Sequence, residues 1–183
     1  HPAARVGLLL AAGALQTVAF VQTAAWWLPL LGVTLLVRCL DHSGPARAAG
    51  LALSYGAGWM LAGVWWLFVS LHRFGQLPAV LAALAVVALA ILLSLYLAAA
   101  AALYVRWRCG RALLDSTLFA ALWLLAELAR GVLFTGFPWV ASGYAWVDAP
   151  ASAWAPWVGV YGLGALLAWL GAFTMYLKPA VLT

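Results

Sequence analysis

The sequence predicts an all-α, polytopic bundle of about six membrane-spanning helices with a broken Gly-Phe-Pro-Trp loop on its outer side. Three observations predict it. Of the 183 residues, 68% are hydrophobic and 7% charged, whereas soluble domains hold about half apolar residues. The nine Lys and Arg residues, which with four acids give a net charge of +5, fall mostly between long apolar runs. That placement speaks for membrane topology and against a basic face for nucleic acid. Finally, Gly136-Phe137-Pro138-Trp139 closes an apolar helix, because proline donates no amide and restricts the residue before it. Residues 1–183 read as a single transmembrane helical domain.

The expected helices are about 6–21, 25–38, 48–71, 77–104, 113–134 and 156–176. As one helix, Val6 to Val37 would run about 48 Å, against a hydrocarbon core of about 30 Å. It therefore divides in two, with a turn near Gln22-Thr23-Ala24 and with Trp26 and Trp27 as interface anchors. Gln16 and Gln22 could bond across helices, though local satisfaction is the favoured reading of both. The polar run Arg38 to Arg47, with Gly44-Pro45, ends the second helix. On the third, Gly50, Ser54, Gly58 and Ala62 form a stripe of small residues that favours close helix approach. His72 to Pro78 make the next loop. The fourth helix is longer than a straight span needs and should tilt. A tight basic loop holds Arg106, Arg108 and Arg111; the fifth helix leads into the break, and the sixth ends at Lys178-Pro179. The chain starts at His1, and its native beginning is expected to lie upstream. A cleaved signal peptide is not expected, since apolar residues continue to Val37 without a small-residue cleavage site.

Loops that alternate between the two sides carry unequal charge. Arg5, Arg38, Arg47, Arg106, Arg108, Arg111 and Lys178 fall on one side, with Arg73 and Arg130 near the other. The positive-inside rule makes the first group cytoplasmic, so the loops around Phe74 and Trp139 face outward.

Broken backbone at membrane depth must be buried in protein or line a wet cavity. The stretch Glu127 to Tyr144 is therefore either a working surface or an interfacial aromatic belt with a turn, and Phe137, Trp139, Tyr144 and Trp146 suit both readings. Glu127, the only glutamate, stands i, i+3 from Arg130. The two form a structural pair, or Arg130, helped by Arg73, holds a lipid phosphate while Glu127 orients it. Asp148 reads as solvated. No catalytic residue is expected in this chain: Cys39, Cys109 and Lys178 lie at the basic end, Glu127 near the other, and about 30 Å of bilayer separates them. His1, His42 and His72 are scattered, and the cysteines lack metal spacing, so neither metal nor cofactor is expected.

Glu127-x-x-Arg130-Gly131, Thr135-Gly136-Phe137-Pro138-Trp139 and Gly143-Tyr144 closely resemble the apolipoprotein N-acyltransferases of bacterial inner membranes. Further similarity lies in Trp65-x-x-x-x-Ser70 with Phe74-Gly75 and Pro78, in Leu93-Ser94-Leu95-Tyr96, and in Ala155-Pro156-x-x-Gly159-Val160. The resemblance implies an enzyme that takes an acyl chain from a phospholipid onto a cysteine as a thioester. The chain then passes to the free α-amine of a lipoprotein's diacylglyceryl-cysteine. It also implies a Glu-Lys-Cys triad in a periplasmic nitrilase-like domain, which is not in these 183 residues. The chain is accordingly expected to be the N-terminal membrane portion, inactive alone, with six helices of eight. Gly136, Phe137, Pro138, Trp139 and Tyr144 would shape the lateral access for lipid tails, with Glu127, Arg130 and Arg73 as further lipid-binding residues. The implied partners are phospholipid donor, lipoprotein acceptor, membrane and catalytic domain, with no nucleic acid. An intramembrane Glu127 and broken helices would also suit a small transporter or channel, or a non-catalytic membrane scaffold.

Overall fold

The computed structural model describes residues 2–177. Among them it is all-α: helices α1 (Pro2–Gln16), α2 (Trp27–Leu40), α3 (Pro45–Val64), α4 (Trp66–Val69), α5 (Ala79–Trp107), α6 (Ala112–Val132) and α7 (Ala155–Phe173), joined by short loops, some of which hold turns of tighter or wider helix. Five helices are long and apolar enough to cross a membrane, and α3 with α4 and the following π turn, bent by 50°, forms a further apolar pair that counts as a sixth only if the two are taken as one span. The chain is a multi-pass membrane protein. His1 and the run from Lys178 to Thr183, including the expected helix end at Lys178-Pro179, lie outside the described residues.

The first two spans separate at Val21-Gln22, where Gln22 leaves helical geometry. Proline opens α3 behind Gly44, a position where its missing amide costs nothing. The third helix thus begins earlier than expected, and it does not run straight to residue 71. It bends at Trp65 and closes with a π turn, Ser70–Phe74, capped by the Gly75 amide on the Ser70 carbonyl at 2.8 Å. The bend brings Trp66 within 6.3 Å of Trp139. The last span also breaks, at Gly159, whose φ of +66° favours a residue without a Cβ.

The core sits between α3, α5 and α6. Trp123 stacks on Trp59 at 5.7 Å and meets Tyr55 and Phe119 at 6.5 and 5.9 Å. Close approach is made by glycines, though not along the whole expected stripe. A Cβ on Gly58 would strike the Leu10 carbonyl, and one on Gly13 the Tyr55 carbonyl, whereas Gly50 faces open space. Gln16 differs too: it is fully buried and accepts the Tyr55 hydroxyl across helices, so it is not satisfied locally.

Two ends can be told apart. At one, Trp146 Nε1 donates to the Trp26 carbonyl at 2.9 Å and Phe20 joins a groove with Trp139 and Tyr144. At the other, Arg108 pairs with Asp41 at 3.1 Å, tying the α5–α6 loop to the α2–α3 loop.

Candidate functional site

α6 ends at Val132 because the next residues abandon helical geometry: Leu133 is extended, and Phe134, Thr135 and Gly136 have φ of +52°, +74° and +77°. Only glycine fits the last position, since a Cβ on Gly136 would collide with the Gly131 carbonyl. The Phe137 amide then folds back to the Arg130 carbonyl at 2.7 Å, and Pro138 follows outside any helix. Val140 has φ of +52°, a strained conformation for a β-branched residue. Its side chain packs against the backbone of α3 at Gly63, where a Cβ would come within 2.7 Å. Strain of this kind persists where surrounding structure over-determines it.

Two buried ions hold the segment. Glu127 and Arg130, each 4% exposed, face inward from the last turns of α6. Glu127 Oε1 accepts the Ser142 amide at 2.7 Å and Oε2 accepts the Ser142 hydroxyl at 3.0 Å. Trp123 Nε1 donates to that hydroxyl oxygen at 3.1 Å. Arg130 Nη1 donates to the carbonyls of Trp139 at 2.6 Å and Phe137 at 3.2 Å, and the guanidinium lies 5.7 Å from the Trp59 ring centroid. The two ions are 3.7 Å apart, longer than any of these bonds, so the loop backbone is the closer partner of both. An acceptor-only carboxylate gathers donors and a donor-only guanidinium gathers carbonyls, which is how buried backbone polar groups escape an unpaired state.

Further along, Gly143 lies against the break in α7: a Cβ there would collide with the Val160 carbonyl. Gly164 sits under the same network, its missing Cβ leaving room 2.7 Å from Glu127 Oε2. The short sequence blocks around Gly143 and around Gly159-Val160, distant along the chain, are therefore one contact in space.

The outer face of this segment is an open groove of about 410 Å³ lined by Phe20, Pro138, Trp139, Val140 and Tyr144, a size within the ~300–1,000 Å³ usual for small-molecule sites. Trp139 and Tyr144 are half exposed, and Phe137 lies 5.5 Å from the Trp139 ring. Of the expected rings, Trp146 is the exception: it is 2% exposed and turned against Trp26. Arg73 is exposed on the π turn and does not line the groove. Asp148 is exposed, and His72 Nδ1 donates locally to the Leu77 carbonyl, 2.8 Å away.

Ser142, Trp123 and Phe20 are the members that sequence reasoning missed. The position of Phe20, beside the first turn and at the same end as Trp139, was the available signal. For Ser142 the only hint was its place between the Pro138 break and Gly143.

Chemically, the groove offers apolar and aromatic surface and no nucleophile. Cys39 lies in the last turn of α2 and Cys109 in the α5–α6 loop, both at the opposite end from Ser142. Among the described residues no three of His, Cys, Asp and Glu are grouped to hold a metal.

A family model described as the apolipoprotein N-acyltransferase N-terminal domain matches residues 12–173. Proteins named apolipoprotein N-acyltransferase are similar to this chain in several bacteria. The one from Verminephrobacter eiseniae is 45% identical over 164 residues, covering 85% of this chain and 30% of that protein. That of Ralstonia nicotianae is 40% identical, covering 86% and 31%, and that of Pseudomonas syringae 38% identical, covering 96% and 33%. The chain spans about a third of the length of these relatives.

Proposed function

The chain belongs to the apolipoprotein N-acyltransferase family, matching its N-terminal domain, and on that premise we propose that it is the membrane domain of such an enzyme. The whole protein would carry an acyl chain from a phospholipid to the N-terminal diacylglyceryl-cysteine of a lipoprotein, with the chemistry done in a separate catalytic domain. This chain would admit the donor lipid from the outer leaflet of the bacterial inner membrane.

The observation that carries the reading is the aromatic groove at Pro138, Trp139 and Tyr144, built on a segment that two buried ions hold out of helical geometry. Acyl tails are bound by burial of area, about 0.8 kcal/mol per CH₂, so a groove without charge on its walls suits them. Gly136 makes the turn, Trp139 supplies an aromatic wall against which the Phe137 ring is tilted, and Tyr144 lines the groove with it. Glu127 and Arg130 serve the lipid by fixing that wall, because both are buried and engaged with loop backbone. Arg73, exposed at the same end, is the arginine free to meet a lipid phosphate at the rim. The charge asymmetry supports an orientation in which the six arginines of the opposite end are cytoplasmic.

Replacing Trp139 with Ala in the full-length enzyme tests this. Acyl transfer should fall while the melting temperature stays near that of the parent; normal turnover in a normally folded variant would refute the role.

A further inference from the structure

A second groove opens at the other end of the bundle, between the first turns of α1 and α3. It has a volume of about 250 Å³ and is lined by Arg5, Val6, Arg47, Gly50 and Leu51. None of these is acidic. Both arginines are exposed, and the carboxylates near this end are engaged elsewhere: Asp41 by Arg108 and His42, Asp115 by the Cys109 and Gly110 amides and the Tyr176 hydroxyl. Among the described residues neither Arg5 nor Arg47 has an ion-pair partner. Arg47 is also in the first turn of α3, behind a Gly44 cap that offers no side-chain acceptor, so the helix's first amides add positive potential beside it.

The floor has a different character. Val6 is 39% exposed, Leu51 is buried, and nothing lies within 4 Å of where a Cβ on Gly50 would stand. Two unneutralised guanidinium groups over an apolar floor between membrane helices match a lipid whose phosphate meets the arginines and whose first methylenes lie on Val6 and Leu51. Free phosphate would gain nothing from that floor. We propose that the Arg5–Arg47 groove binds an anionic phospholipid from the leaflet opposite the aromatic groove, a resident lipid distinct from the acyl donor.

Native mass spectrometry of the full-length protein tests this, with phosphatidylglycerol and phosphatidylcholine of equal chain length added to the micelles. The parent should retain phosphatidylglycerol preferentially. Arg5→Gln and Arg47→Gln should each lower that retention about fivefold and leave phosphatidylcholine unchanged. Gly50→Leu, which fills the floor with both charges kept, should lower it as well. Equal retention of the two lipids, undiminished retention in the double arginine variant, or displacement of the lipid by inorganic phosphate at equal concentration would each overturn the proposal. Because the readout is bound lipid and not turnover, it stands or falls separately from the acyl-transfer reading.

Discussion

At each end of the bundle one buried carboxylate on α6 gathers a neighbouring loop, and the two are supported differently. Asp115, in the first turn, accepts the Cys109 and Gly110 amides at 2.8 Å each and the Tyr176 hydroxyl at 2.6 Å. It needs no cation, since the start of a helix favours negative charge. Glu127 lies further along the same helix, away from the first-turn amides that favour an anion. There Arg130 compensates the charge and takes the loop carbonyls that a carboxylate cannot. A short basic loop is closed by one acceptor. The long broken segment needs one ion for its amides and another for its carbonyls, and its outer face remains open.

Substitutions that separate these devices sharpen the contrast. The largest effect is expected for Glu127→Ala, which leaves Arg130 buried without its counter-charge and frees the Ser142 amide; losses of that kind run to about 3–5 kcal/mol. Thermal unfolding should show it, and limited proteolysis should cut between residues 133 and 146. A stable, protease-resistant variant would mean that the carboxylate does not hold the loop. Next comes Gly143→Ala, whose Cβ meets the backbone of α7 and cannot be accommodated by a rotamer change. Overpacking of this sort costs about 1–3 kcal/mol. A lowered melting temperature with reduced acyl transfer in the full-length enzyme is the expected result. Asp115→Asn should be mildest, about 1 kcal/mol for each hydrogen bond lost, with acyl transfer near the parental level. If it abolished transfer, the division of labour between the ends would be wrong.

Much of the fold was legible because hydropathy and proline act locally. The apolar spans, the turn at Gln22 and the exit from helix at Pro138 each follow from a few adjacent residues. The bend at Trp65 was not legible, because the apolar run continues through it to Leu71 and Gly63, two residues before it, reads equally as a close-packing position. What holds the site was hidden for another reason. Ser142 meeting Glu127, Phe20 joining the groove, Trp146 turning inward and Gln16 reaching Tyr55 all depend on which helix faces meet. The small-residue stripe on α3 was half right for that reason: Gly58 touches α1, whereas Gly50 opens onto the gap between the two helices.

Photo-crosslinking reads out whether the Pro138 segment receives acyl chains. A phospholipid with a photoreactive acyl chain, irradiated with the full-length enzyme in nanodiscs, should label Phe20 and residues 137–144 above all, and unlabelled phospholipid should suppress that labelling. Labelling spread evenly over lipid-facing positions of α5 such as Val80, Leu81 and Leu84, with no excess at the groove, would contradict it.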